Sequence, residues 1–121
     1  MNKRKVGADY EKQAVEFLEK RGYRILERNY RNRMGEIDII GWDGKYLVFI
    51  EVKYRGSSSK GSALEAVDLR KQKRISKTAL FYRMQKGISE ETPCRFDVVG
   101  IERERVSLVK NAFDFCYGNL Y

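Results

Sequence analysis

Residues 35–55, GEIDIIGWDGKYLVFIEVKYR, form two apolar runs on either side of a short polar turn. Asp43-Gly44 is a strong hairpin signal, because a two-residue type I′ turn needs positive φ at both central positions. The flanking runs are rich in Ile, Val, Phe and Tyr, which favour strands. We therefore predict an antiparallel hairpin with Asp43 and Gly44 at the centre of its turn.

Charged residues interrupt this apolar hairpin at Glu36, Asp38, Glu51 and Lys53. Side chains alternate between the faces of a strand, so Glu36 and Asp38 share one face, as do Glu51 and Lys53. The predicted turn places Glu36 opposite Glu51, with Asp38 diagonal to Glu51. Carboxylates this close destabilise a sheet unless positive charge lies among them. Lys53 supplies one charge, and a divalent cation would supply the rest.

A solvated sheet edge is the alternative interpretation of these charges. However, Ile40, Leu47 and Phe49 lie on the same predicted face as the charged residues, and the other face is apolar as well. Apolar residues on both faces are typical of a central strand in an α/β sheet. Charged residues in such strands are costly unless they are paired or bound to a metal.

The whole chain, residues 1–121, is predicted to form one domain with the element order α-β-β-β-α-β-β. The helices are expected at 9–21, with Asp9 as N-cap and Gly22 following, and at about 65–86, capped by Ser62 or by Asp68. The remaining strands are expected at 23–31 and within 94–113. The long second helix is a crossover, which favours parallel strands on either side of it in a mixed sheet flanked by helices.

Composition narrows the chemistry. The chain has no histidine, which excludes Ser-His-Asp and Cys-His mechanisms and zinc sites built on histidine. Cys94 and Cys116 are isolated in the sequence and are expected to be reduced, with a disulfide as the alternative. The net charge of +8 indicates a polyanionic partner, nucleic acid first and an anionic membrane second.

The basic residues 1–6 are not followed by an apolar segment, and no run approaches the length that spans a membrane. We therefore expect a cytoplasmic protein without membrane attachment.

A family resemblance adds to this interpretation. GEIDII followed by VFIEVKYR resembles the D…(D/E)xK signature of the PD-(D/E)xK nuclease superfamily. The chain as a whole resembles the YraN-like family of small endonuclease-like proteins, which is similar to the archaeal Holliday junction resolvases. The resemblance includes GADYEKQAVEFLEKRGYRILERNYR, AVDLRKQKRI and RFDVV. The proline of the superfamily motif is missing, since Ile37 precedes Asp38. The resemblance implies a restriction-endonuclease-like fold.

The resemblance also implies roles for individual residues. Asp38 and Glu51 would bind Mg²⁺ or Mn²⁺, and Lys53 would be the catalytic lysine. Glu11 would be the carboxylate of the first helix that approaches the metal; its alternative role is to stabilise the first helical turn against the helix dipole. Two carboxylates suit Mg²⁺, which polarises a phosphate and helps to generate hydroxide from water. A lysine beside them can orient that water.

Nucleic-acid contacts are predicted for six basic residues and one glutamine: Arg31, Arg33, Lys71, Gln72, Lys73, Arg74 and Lys77. Two acidic residues keep two interpretations each. Glu36 either adds a metal contact or is moved away by a bulge. Asp97 either supports Lys53 from the neighbouring parallel strand or ends its own strand.

The resemblance therefore implies a divalent-metal-dependent endonuclease that hydrolyses DNA, with branched or junction DNA as one substrate class. The alternatives are a nucleic-acid-binding module without catalysis and a structural partner in a DNA-processing complex. DNA or RNA, junction, duplex or single strand, and monomer or homodimer all stay open.

Overall fold

The computed structural model describes residues 3–55, 67–103 and 105–116. Its elements follow the predicted order of one helix, three strands, a second helix and two strands. They are α1 (Lys3–Lys20), β1 (Arg24–Asn32), β2 (Gly35–Asp43), β3 (Tyr46–Arg55), α2 (Leu69–Gln85), β4 (Cys94–Glu102) and β5 (Arg105–Phe113).

The five strands form one sheet in the spatial order β1-β2-β3-β4-β5. β3 and β4 pair in parallel, from Leu47 beside Cys94 to Arg55 beside Glu102. The other neighbouring strands are antiparallel. The predicted mixed sheet with α2 in the crossover is thus confirmed.

The sheet is buried on both faces. One face packs against α2 through a core that includes Phe49, Phe96 and Tyr82. The other packs against α1 through a core that includes Leu18 and Ile50. Alternation along β3 sends Leu47 and Phe49 towards α2, and Val48 and Ile50 towards α1. The prediction that this strand is apolar on both faces is therefore confirmed.

The predicted register of the β2–β3 hairpin is wrong. Asp43 pairs with Tyr46 and Trp42 with Leu47, so the central turn residues are Gly44 and Lys45 rather than Asp43 and Gly44. Gly44 has a φ of +59°, whereas Lys45 is not among the described residues with positive φ. This is the φ pattern of a type II′ turn, which requires glycine at its first central position only. Like a type I′ turn, a type II′ turn matches the right-handed twist of the flanking strands, but it needs glycine at one position only.

The helix boundaries are partly as predicted. α1 begins at Lys3, so Asp9 lies within the helix and is not its N-cap. Gly22 follows the end of α1 with φ +91°, as predicted. α2 begins at Leu69, and the Asp68 side chain caps it by accepting a hydrogen bond from the amide of Lys71. Ser62, the other predicted cap, lies outside the described residues.

The two cysteines are separate free thiols, so the disulfide alternative is not formed. Burial raises the pKa of the Cys94 thiol. In the described ranges, no helix is long and apolar enough to cross a membrane.

Candidate active site

Asp38 lies where β2 and β3 separate. The ladder between them ends at the Ile39–Ile50 pair. One residue further on, the Asp38 carboxylate takes the place of a ladder partner, since its Oδ2 accepts a hydrogen bond of 2.8 Å from the amide of Val52. The amide and carbonyl of a strand residue point to the same edge. The Val52 carbonyl therefore faces the opening that holds the Asp38 carboxylate.

Glu51 is the acidic neighbour of this opening and is 7% exposed. Its Oε1 lies 3.5 Å from Lys53 Nζ, on the face of β3 that packs against α2. The same oxygen lies 2.6 Å from Nζ of Lys71, in the first turn of α2. The predicted shared face of Glu51 and Lys53 is observed, and α2 adds a second ammonium group.

Glu11 belongs to the middle of α1 rather than to its first turn, so a role in stabilising the helix dipole loses its basis. It is buried, and its Oε1 lies 3.4 Å from Nε of Arg28 on β1. Its negative charge helps to raise the pKa of Asp38. Three carboxylates, from α1, β2 and β3, therefore influence one end of the sheet.

The electrostatics of the site are those of crowded acids balanced by lysines. Burial and, next, the negative charge of Glu51 together raise the pKa of Asp38 to about 7. Burial lowers the pKa of Lys53, because it disfavours the ammonium form. Burial also acts to lower the pKa of Lys71, but its hydrogen bond to Glu51 opposes this, and the net change is upward. The positive charge that crowded carboxylates require is present on two lysines.

The donor chemistry of the site fits Mg²⁺ or Mn²⁺. Mg²⁺ prefers oxygen ligands, keeps several waters and is commonly held by one or two carboxylates together with a substrate phosphate. Asp38, Glu51 and the carbonyl of Val52 are donors of this kind. In the described part of the chain, no three or more acidic or cysteine side chains form a metal-binding group by themselves. Water and phosphate would thus complete the coordination.

Four of the predicted nucleic-acid contacts line one groove beside α2, with a volume of about 640 Å³. They are Arg33, Lys73, Arg74 and Lys77. Arg33 comes from the turn between β1 and β2, which approaches α2 at Gly35. A Cβ atom at Gly35 would lie 2.8 Å from Oγ1 of Thr78, and φ there is +153°, so glycine permits this contact. Arg70 of the same groove is a basic residue that the prediction omitted.

The other predicted contacts have partners within the chain. Arg31 is exposed on β1, with its Nε 3.1 Å from Oε2 of Glu36. The Gln72 side chain donates a hydrogen bond to the carbonyl of Val67, and Lys71 pairs with Glu51. The predicted juxtaposition of Glu36 and Glu51 is wrong, since the hairpin register differs and Glu36 pairs with Arg31 across β1 and β2.

Asp97 does not support Lys53, whose neighbour on β4 is Gly100. It does not end its strand either, since β4 continues to Glu102. Asp97 is fully buried. Its Oδ2 accepts a hydrogen bond of 2.8 Å from the hydroxyl of Tyr23, which belongs to the core on the α1 face. Nε of Arg95 lies 2.8 Å from its Oδ1, and the amide of Asn111 donates to the same oxygen. Asp97 therefore belongs to a separate cluster.

Comparison with known proteins places this site within a family. The model of the uncharacterised protein family UPF0102 matches residues 10–101. The chain belongs to the UPF0102 family. A UPF0102 protein of Lachnoclostridium phytofermentans is 50% identical over 98% of this chain and 100% of its own length. Those of Persephonella marina and Symbiobacterium thermophilum are 44% and 49% identical, over 92% and 91% of this chain and 95% and 97% of their own lengths.

UPF0102 membership confirms the resemblance to YraN-like proteins at the level of the family. The matched residues include Glu11, Asp38, Glu51, Lys53 and Lys71. The site and all the residues that line the groove therefore belong to the part of the chain that matches the UPF0102 model.

Two contacts of this UPF0102 site have no clear signal in the sequence. The pairing of Arg28 with Glu11 depends on the register of β1, which shifts between Ile25 and Glu27. The hydrogen bond from Val52 depends on where the hairpin ladder ends. The pairing of Lys71 with Glu51 has a usable signal, because a crossover helix begins near the carboxyl end of the strand before it.

Proposed function

We propose that this UPF0102 chain is a divalent-metal-dependent endonuclease of the PD-(D/E)xK type, similar to archaeal Holliday junction resolvases, that hydrolyses phosphodiester bonds of DNA. The observation that carries the proposal is the meeting of Asp38, Glu51 and Lys53 where β2 and β3 separate. A binding module has no need for a half-buried carboxylate held beside buried ones that repel it. Such perturbed groups are more frequent at functional sites.

In this proposal Asp38 and Glu51 hold Mg²⁺ or Mn²⁺, with the carbonyl of Val52 as a third oxygen donor. The bound ion supplies Lewis-acid stabilisation of the phosphate. Lys53 lies beside Glu51 on the same strand face, where its ammonium group orients the attacking water or neutralises charge that develops on the phosphate. Glu11, held by Arg28, supports the site from α1.

The groove beside α2 supplies the binding surface. Arg33, Lys73, Arg74 and Lys77 form a cluster of positive charge that can neutralise successive phosphates. Lys71 precedes this stretch of α2 by two residues and reaches the site itself. The groove and the carboxylates are therefore adjacent along one helix, as an enzyme that binds a backbone and cuts it requires. We place this activity on cytoplasmic DNA, without a membrane partner.

Cleavage assays test the proposal on junction, flap, single-stranded and duplex DNA, with Mg²⁺, Mn²⁺ or EDTA. We expect the wild type to cut at least one substrate with either metal and none in EDTA. Asp38→Asn should abolish cleavage while DNA affinity is retained or tightened, because a negative charge near the phosphate is removed. Lys53→Ala should lower the rate on the order of 10²- to 10³-fold, as for the removal of one group that stabilises developing charge.

Glu36→Gln is the matched control, since Glu36 is an exposed acid on the same strand, two residues before Asp38. It should cut like the wild type. A wild type that binds DNA through the groove but cuts no substrate would establish the binding module instead. Undiminished cleavage by Asp38→Asn would place the chemistry elsewhere.

A further inference from the structure

Lys71 makes the closest ionic contact with the candidate site. Its Nζ lies 2.6 Å from Glu51 Oε1, against 3.5 Å for Lys53. Both ammonium groups lie near the same oxygen of Glu51, whose side chain is 8% exposed. Mg²⁺ needs its oxygen ligands at about 2.0–2.1 Å. It can approach this oxygen to that distance only if the Lys71 ammonium group, already in contact with it, moves away.

Charge balance leads to the same conclusion. Asp38, Glu51 and Glu11 carry three negative charges when all are ionised. Lys53, Lys71 and Arg28 already offset them. A divalent cation added to this arrangement would face both ammonium groups at short range, where like charges repel strongly in a partly buried site. At least one ammonium group must therefore leave when the cation enters.

Of the two lysines, Lys71 is the one that can leave. Lys53 lies on β3, whose backbone is fixed in the sheet beside Gly100 of β4, and its side chain is 24% exposed. The Lys71 side chain is 34% exposed and extends from the first turn of α2. Arg70 and Arg74, its neighbours on that helix, line the basic groove. Changes of rotamer alone can carry the Lys71 ammonium towards that groove.

We propose that Lys71 is a placeholder cation: its ammonium group occupies the cation position beside Glu51 until a nucleic-acid phosphate in the groove draws it away. This inference rests on the proposed function and adds regulation to it. Lys71 then links the two binding events, because it opposes the metal when the groove is empty and contacts the phosphate when the groove is filled. By thermodynamic linkage, each ligand must raise affinity for the other by the same factor.

Titration with Mn²⁺, followed by electron paramagnetic resonance, tests this without relying on cleavage. The variants are Lys71→Met, which removes the charge, and Lys71→Arg, which keeps it. Lys73→Met is the matched control, because Lys73 is a lysine of the same helix that lines the groove. Each protein is titrated alone and with a phosphorothioate-linked DNA duplex that resists cleavage.

Without DNA, Lys71→Met should bind Mn²⁺ on the order of tenfold more tightly than the wild type, as expected for a coupling of ordinary size. Lys71→Arg and Lys73→Met should stay near the wild-type affinity. Adding the duplex should tighten Mn²⁺ binding by the wild type by a larger factor than binding by Lys71→Met, in which the phosphate can still bind the metal but no ammonium group is displaced from Glu51. Lys71→Gln gives the same comparison if melting shows that the methionine variant does not fold.

Equal Mn²⁺ affinity of wild type and both neutral variants without DNA would overturn the placeholder role and leave the endonuclease proposal intact. Absence of Mn²⁺ binding by every variant, with and without DNA, would overturn both. Binding by Lys71→Met or Lys71→Gln but not by the wild type would support the placeholder role in its strongest form.

Discussion

Two aspartates lie one row apart on either side of β3, and their contacts extend towards opposite ends of the sheet. Asp97 is fully buried, whereas Asp38 is half-buried. Asp97 accepts hydrogen bonds from the guanidinium of Arg95, the hydroxyl of Tyr23 and the amide of Asn111. Asp38 receives the amide of Val52, and its neighbouring acids help to raise its pKa to about 7. The same residue type is thus compensated at one end and left crowded at the other. A compensated acid stabilises the fold, whereas a crowded one favours the binding of a cation.

The cations at the two ends differ as well. Arg95 is a planar, permanently charged group that bridges Asp97 and Asp43, and its side chain is 12% exposed. This bridge lowers the pKa of the Asp43 carboxyl. Lys53 and Lys71 are flexible point charges with perturbed pKa values. A fixed guanidinium suits the permanent contact of Arg95 with Asp97. A mobile ammonium group suits the position beside Glu51, where a metal ion would replace it.

The largest effect on stability is expected for Asp97→Asn. The substitution removes the negative charge between Arg95 and Tyr23 and leaves a partly buried guanidinium with Asp43 as its remaining carboxylate partner. Breaking a buried ion pair costs about 3–5 kcal/mol, so we expect a destabilisation near the lower end of that range. Urea unfolding measures it. Asp38→Asn is the comparison and should cost less than about 1 kcal/mol, because it relieves repulsion. Equal destabilisation by the two substitutions would erase the distinction between the two ends.

A smaller effect is expected from pH. The pKa of Asp38 in the folded state, about 7, lies above the ordinary value of 3.8. Between these values the folded state binds more protons than the unfolded state, so the free energy of unfolding should rise as pH falls from 7 towards 4. Asp38→Asn lacks this contribution. We expect the wild type to gain about 2–3 kcal/mol relative to that variant between pH 7.5 and 5, measured by urea unfolding without metal. Parallel pH profiles would contradict the crowding of Asp38.

The smallest effect concerns salt. Removing the charge that neutralises one phosphate should reduce the slope of log affinity against log salt by about 0.9 on duplex DNA. Lys73→Ala removes such a charge from the groove and should show this reduction in a fluorescence anisotropy titration. Lys110→Ala is the control at the Asp97 end, since Lys110 lies 3.4 Å from Asp43 and its side chain is 54% exposed. A slope that changes equally in both variants would mean diffuse binding rather than binding in the groove.

The fold follows from signals that the sequence carries locally. Apolar runs in β2 and β3 are long and β-branched, and α2 lies between two strands that it must connect. Element order, the parallel pairing of β3 with β4 and burial on both faces all depend on such patterns. These features stay the same if a predicted strand or helix boundary is wrong by one or two residues.

The geometry of the site depends on register, which local patterns constrain less. Asp43-Gly44 and Gly44-Lys45 are both reasonable turns, and the wrong choice between them puts Glu36 instead of Asp38 opposite Glu51. Parity along one strand is insensitive to this choice, so the common face of Glu51 and Lys53 is predictable from the sequence. The contacts of Asp97 include Tyr23, which is 74 residues away in the sequence. No sequence motif indicates this pairing.

The most direct test of the central claim is thermal melting of wild type, Asp38→Asn, Asp97→Asn and Lys71→Met, each with and without Mn²⁺. A ligand at 100 times its dissociation constant stabilises a protein by about 2.7 kcal/mol. We predict that Mn²⁺ raises the melting temperature of the wild type and of Asp97→Asn, although the latter starts lower, and leaves Asp38→Asn unchanged. Stabilisation of Asp38→Asn to the same extent as the wild type, or no stabilisation of either the wild type or Lys71→Met, would contradict a metal site at Asp38 and Glu51.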